Sequence, residues 1–138
     1  MKIFDHKMSL EEQNISLCQL KQEIYLAFHQ HWELNDKAHR QKHFEEVLQC
    51  GLKINQTLKL GFDPKLILFG AYFHDLFAWS RNNHHLMSGD WMSTTNHPLI
   101  VDNLSNVVQR RLGLDSIPDH LHDVVNNSER FIVTTAIS

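Results

Sequence analysis

The chain has 138 residues and a mass of 16.2 kDa, which is the size of one domain and enough to bury a core without disulfides or a structural metal. Apolar residues make up 42% of the chain and charged residues 21%, a composition that excludes a disordered protein. The formal net charge of −3, from 13 Lys and Arg against 16 Asp and Glu, excludes the basic footprint of a general nucleic-acid binder.

Other features narrow the class of protein. No stretch approaches the roughly 18 consecutive apolar residues of a membrane span, and the first residues do not resemble a signal peptide. The two cysteines, Cys18 and Cys50, lack the spacing of a disulfide framework or of a metal finger. We therefore expect one cytoplasmic domain over residues 1–138, with neither a membrane nor a nucleic acid polymer as partner. One count is unusual, because the chain carries 11 histidines.

The first part of the chain predicts two amphipathic helices. Ser9 and Glu12 fit the capping box S-x-x-E, and apolar residues recur at helical spacing after it, which predicts a helix over 10–32. A polar break follows, in which Asp36 is a candidate N-cap. The second helix is expected to end at Gly61, in the position of a C′ glycine.

The middle of the chain predicts a central helix. Asp63 followed by Pro64 is a start signal, since the carboxylate can cap and proline fits the first helical position. The segment 66–77 is apolar nearly all round, which indicates a helix touched on several sides. The polar segment 80–95 is predicted as a long loop or one short helix.

The last part predicts two more helices. His97-Pro98 starts a fourth helix that Gly113 stops, and a fifth begins near Pro118. The β-branched segment 131–137 is expected to pack as a last helical turn, because an isolated strand would have no partner. The sequence therefore predicts an all-α protein of five or six helices.

The dipeptide His74-Asp75 is the feature most indicative of chemistry, since it closes the most apolar segment of the chain. Burying an imidazole beside a carboxylate is costly unless each is paired or binds a cation. Upstream, His39 and His43 lie four residues apart and share a helix face, so either can be the partner. Imidazoles and a carboxylate around a divalent metal form a common hydrolytic site. The alternative to a metal site is that His74 is paired with its neighbour or with a backbone carbonyl.

These residues carry a resemblance to a known family. His43 on one helix, an apolar run ending in His74-Asp75, and the helix start at His97-Pro98 are similar to the HD superfamily of metal-dependent phosphohydrolases. The resemblance spans roughly residues 36–130. It implies an HD-like bundle of five to six helices with a divalent metal ion (Mn, Ni, Fe, Zn, Co or Mg) between them.

The resemblance also implies roles for particular residues. His43, His74 and Asp75 would hold the metal, with His97 as a further candidate ligand, and His74 and Asp75 would form the catalytic centre. The reaction would be hydrolysis of a small phosphorylated substrate, frequently a nucleotide. HD-like domains often pair, so a homodimer is also compatible with the resemblance.

The segment 80–95 would then form the rim of the substrate cleft. Arg81, His84 and His85, together with Asn82, are available to bind phosphate, and the planar fork of arginine meets two oxygens at once. The two histidines can equally be solvated surface residues.

The chain departs from the family pattern near its end. The family completes its site with a late aspartate, whereas the only acidic residue after Asp123 is Glu129, and Asn127-Ser128 replaces an expected histidine pair. Asp123 and His97 are the candidates to complete the site.

Three function classes remain open from the sequence. The first is an HD-type phosphohydrolase, and the second is a catalytically silent HD-like domain that binds a ligand or a protein. The third is a plain helical interaction module, for which Asp75→Asn would change neither metal content nor ligand binding.

Overall fold

The computed structural model describes residues 10–80 and 83–137, and within them it contains six α-helices and no strand. This confirms the predicted all-α class. The helices are α1 (Leu10–Trp32), α2 (Gln41–Thr57), α3 (Pro64–Phe73), α4 (His84–Thr94), α5 (Pro98–Leu112) and α6 (His122–Ile137). Short 3₁₀ turns lie at Lys37–His39, Ala78–Ser80 and Asp119–Leu121. Among the described helices, none combines the length and the apolar character that crossing a membrane requires.

Helix α3 is the central helix, as its apolar sequence predicts. It packs against α1, α2, α5 and α6. Its aromatic residues are fully buried: Tyr72 packs against Phe44 of α2, and Phe73 meets Phe28 of α1 edge to face with ring centroids 5.2 Å apart. The end of α3, where His74 and Asp75 follow, is therefore held in place from several sides.

The start of α3 is also confirmed. Pro64 occupies the first turn, and an Oδ1 atom of Asp63 accepts a hydrogen bond from the backbone N–H of Lys65 at 2.9 Å. The second carboxylate oxygen of Asp63 accepts from Arg110 of α5 at 3.1 Å. The capping residue thus also ties α3 to α5.

The end of α2 differs from the prediction. The helix ends at Thr57 with Leu58 as C-cap, so the expectation that it continues to Gly61 is wrong. The physical reason is that the backbone already turns left-handed at Lys59, with φ of 51°, before Gly61 does so with φ of 75°. Asp36 precedes the 3₁₀ turn and makes no capping hydrogen bond with its side chain.

The segment 80–95 contains the 11-residue helix α4, so of the two predicted alternatives the short helix is confirmed and the long loop is wrong. Hydrophobic periodicity fails to show it because two of its three buried residues are Ser88 and Gly89, with Met92 as the third. Small residues let α4 lie close to α6 without an apolar stripe.

Gly113 is expected to matter for stability, because it caps α5 in the left-handed region with φ of 68°. Gly113→Ala should lower the free energy of unfolding by about 1 kcal/mol, since a Cβ atom is strained there. Urea unfolding measures this. Gly113→Asn is the matched control and should lose less, because asparagine tolerates the left-handed region. Equal losses for the two variants would contradict the explanation.

Candidate metal centre

Asp75 is the centre of a cluster of histidines. Its side chain lies directly after α3 and is only 3% exposed. Its Oδ2 atom is 3.1 Å from Nε2 of His43 and 3.2 Å from Nε2 of His74. Its Oδ1 atom is 3.0 Å from Nε2 of His84 and 3.9 Å from Nδ1 of His85. Residues from α2, the end of α3 and the start of α4 are thereby brought to one carboxylate.

The Oδ1 atom of Asp75 is buried and has no hydrogen-bond partner, although a ring nitrogen of His84 lies close to it. The distance is short but the direction does not suit an N–H donor. A buried carboxylate oxygen without a hydrogen bond is costly unless a cation satisfies it. The contact between Asp75 and His84 therefore suits two ligands of one ion better than a hydrogen-bonded pair.

The separations fit a metal ion. Ligand atoms about 2.1 Å from a common ion are about 3.0 Å apart at a right angle and about 3.4 Å apart at a tetrahedral angle. The three shortest N–O separations around Asp75 lie between 3.0 and 3.2 Å. At each oxygen of Asp75 the nearest nitrogens therefore lie at distances that ligands of one ion would have.

His74 has a defined orientation. Its Nδ1 atom lies 2.6 Å from the backbone carbonyl of Ala71, and a carbonyl can only accept a hydrogen bond. Nδ1 thus carries a proton, and Nε2, which lies on the side of Asp75, is the ring nitrogen at which a second proton or a metal ion would bind. A backbone carbonyl that accepts a hydrogen bond from the ring nitrogen that does not bind the metal is typical of metal-binding histidines.

The electrostatics of the centre favour a positive charge. Burial alone would raise the pKa of Asp75, but the interaction with His74, with added charge from His84 and His39, lowers that pKa to about 2. Burial alone would lower the pKa of His74, but Asp75 and the backbone carbonyl of Ala71 raise it above its ordinary value. The carboxylate is therefore ionised at neutral pH, and its field stabilises either a proton on His74 or a metal ion.

Two overlapping groups of ligand atoms could hold an ion. In one, His43, His74 and Asp75 offer atoms within 4.8 Å of one another, and in the other Asp75, His84 and His85 do so. Asp75 belongs to both groups. The described residues therefore provide a histidine–aspartate group that could hold a metal ion, with four imidazoles for one carboxylate.

His39 lies beside the centre but in neither group. Its Nδ1 atom is 2.6 Å from Oδ1 of Asp36, and its ring lies 5.8 Å from that of His43 and 6.3 Å from that of His84. Between the two candidates on this side, the structure thus places His43 at the carboxylate and His39 behind it.

Asn35 positions the centre and was not found from the sequence. It is 2% exposed, and its Nδ2 atom donates to the backbone carbonyls of Asp75 and His39, both at 2.9 Å. Its Oδ1 atom accepts the backbone N–H of Trp79 at 2.8 Å. One buried amide thereby joins the segment before α2 to the turn that carries Asp75. Asparagine in a polar break is common, so the sequence contains no signal for this role.

Other predicted site residues lie elsewhere. Nδ1 of His97 accepts the backbone N–H of Leu99 at 3.2 Å, which caps α5, and its ring packs 5.1 Å from that of Phe28. Asp123 lines a separate polar pocket with Arg130. His97 and Asp123 are in neither ligand group, so we leave both out of the metal centre.

The predicted phosphate-binding residues divide into two sets. His84 and His85 are the first residues of α4, and they contact Asp75 rather than forming a rim loop. We therefore assign them to the metal centre. Arg81 and Asn82 lie outside the described residues.

Fold and site together define an all-α protein with a buried histidine–aspartate group able to hold a metal ion. Comparison with known protein families, with curated proteins and with solved structures finds no match for the chain.

Proposed function

We propose that the protein is a divalent-metal-dependent phosphohydrolase of the HD type that acts on a small phosphorylated compound, with nucleotides as the class that the resemblance suggests. The observation that carries this proposal is the convergence of His43 and His74 on the buried carboxylate of Asp75 at 3.1 and 3.2 Å. The two histidines are 31 positions apart in the sequence, and the packing of α2 against α3 brings them to the same carboxylate.

The donor set favours a transition metal. Imidazole nitrogens suit Zn, Fe, Ni, Co and Mn, whereas Mg prefers oxygen ligands, and here one carboxylate is surrounded by four imidazoles.

The exposed free thiols of Cys18 and Cys50 are consistent with a reducing compartment such as the cytoplasm.

The residues around the centre would have different roles in hydrolysis. A bound divalent ion supplies Lewis acidity, which acidifies a coordinated water and offsets charge on phosphoryl oxygens. Asp75 supplies the negative ligand, and His74 is oriented by the carbonyl of Ala71. His85 is about half exposed and His43 about a third, so these two side chains form the face that a phosphate would approach.

The test combines metal analysis with a substrate screen. Purified protein should carry a transition metal in near-stoichiometric amount and should hydrolyse phosphomonoesters or cyclic nucleotides with added Mn²⁺ or Ni²⁺. His43→Ala should reduce both metal content and turnover at least 10-fold, because it removes one ligand. The exposed His120→Ala is the matched control and should change neither.

Two results would contradict the proposal in different ways. Absence of metal, with no shift in melting temperature when metal is added, would exclude the metal centre. Metal binding without turnover would favour the second candidate, a catalytically silent HD-like domain that binds a ligand or a protein. That candidate is favoured by one observation: among the described residues, Asp75 is the single carboxylate in either ligand group.

A further inference from the structure

An apolar pocket of about 420 Å³ lies beside the metal centre, between α2, α3 and α6. Its walls include Val47 of α2, Ile67 and Gly70 of α3, and Val133 and Ile137 of α6. Its size falls in the range of small-molecule sites, which are mostly apolar with a few polar groups at one place.

The polar groups of this pocket are those of the metal centre. His74 and His85 line the pocket, and both also contact Asp75. The other lining side chains carry no polar atom. A ligand whose phosphate lies at the metal centre therefore has an apolar space directly next to it.

Gly70 is a second observation that indicates an open pocket. It lies inside α3, where glycine destabilises a helix relative to alanine. Close packing does not require it, because a Cβ atom built there would have nothing within 4 Å. At Gly51, by contrast, a Cβ atom would come within 2.7 Å of Ile67. The absent side chain at position 70 leaves room in the pocket rather than room for a neighbouring helix.

We propose that the pocket binds the aliphatic chain of the substrate, so that the preferred substrate is a phosphate monoester of an aliphatic alcohol. This proposal replaces the nucleotide class that the resemblance suggests, since the amino and carbonyl groups of a nucleobase would enter this pocket without hydrogen-bond partners. The statement that such an ester is hydrolysed rests on the proposed function. Water adds its oxygen to phosphorus, the bond from phosphorus to the alcohol oxygen breaks, and the alcohol leaves with a proton, so no oxidant or reductant is needed.

The direct test is a chain-length series. With ethyl, butyl, hexyl and octyl phosphate, kcat/KM should rise by up to about fourfold for each added methylene and level off once the pocket is full. Nucleoside monophosphates should be poorer substrates than hexyl phosphate. Equal kcat/KM across the series, or a preference for nucleotides, would overturn the inference and leave the hydrolase proposal standing.

A variant that fills the pocket makes the test specific. Gly70→Leu places a side chain into the open space, so the ratio of kcat/KM for hexyl over ethyl phosphate should fall by at least 10-fold. Gly70→Ala, the matched control, should keep most of that ratio. If Gly70→Leu does not fold, Ala136→Phe fills the same pocket from the exposed side of α6 and should have the same effect. An unchanged ratio in a folded filling variant would contradict the inference.

Binding separates the inference from the reaction. Octylphosphonate, which cannot be hydrolysed, should raise the melting temperature of the protein far more than methylphosphonate, and Gly70→Leu should remove the difference. If this holds while no phosphate ester turns over, the pocket assignment stands and the hydrolase proposal fails. If the two phosphonates act alike, the pocket assignment fails whatever the activity.

Discussion

Asp75→Asn is expected to remove metal binding and, with it, any metal-dependent turnover. The substitution keeps the shape of the side chain but removes the single negative ligand, and it directs an N–H₂ group among ring nitrogens that lie 3.0 to 3.2 Å away. The affinity for the metal should fall at least about 100-fold, beyond the effect typical of residues that only orient ligands. In the unsubstituted protein, metal at 100 times its dissociation constant should stabilise the fold by about 2.7 kcal/mol.

Thermal unfolding with and without added Mn²⁺, together with metal analysis after dialysis, measures this effect. Asp90→Asn is the matched control, because Asp90 is an exposed aspartate on α4 and belongs to neither ligand group. It should retain both metal content and the metal-dependent rise in melting temperature. An Asp75→Asn protein that still gains stability from metal would show that the carboxylate is paired for structural reasons alone.

Asn35→Asp is expected to destabilise the protein by about 3 kcal/mol. The amide donates to two backbone carbonyls, and replacing its N–H₂ group by oxygen leaves both carbonyls facing an acceptor in a site that is 2% exposed. Unsatisfied buried groups cost about 1–3 kcal/mol each, and a buried charge costs more. Because one of these carbonyls belongs to Asp75, the affinity for metal should fall as well.

Urea unfolding gives the stability, and metal titration gives the affinity. Asn14→Asp on the exposed face of α1 makes the same chemical change without burial and should alter stability by less than about 0.5 kcal/mol. If Asn35→Asp unfolds at the same urea concentration as the unsubstituted protein, the amide does not hold the turn as described.

Much of the fold follows from local signals in the sequence. Asp63-Pro64 predicts the start of α3, and an apolar segment without a polar face predicts its central place. Both predictions are confirmed. The cap and the proline are adjacent in the chain, and the apolar character of α3 is visible from its own residues. For the segment of α4 the sequence left a long loop or one short helix open, because the contacts of α4 with α6 depend on small residues, which leave no hydrophobic period.

The candidate site was predictable in part. The residues alone left His39 and His43 open, and the resemblance selected His43, His74 and Asp75, three residues that the structure brings together. The positions of His84 and His85 could not be predicted, because they depend on how α4 folds back over the end of α3. Asn35 was equally hidden, since its partners are backbone atoms 4, 40 and 44 positions away.

The distribution of the ligands over the chain has a consequence for folding. His43 on α2 and Asp75 after α3 belong to one ligand group and are 32 positions apart in the sequence. An ion coordinated by both would act as a cross-link that closes this long loop and removes freedom from the unfolded chain, much as a disulfide does. A protein with two free cysteines would in this way gain a reversible cross-link between α2 and the end of its central helix.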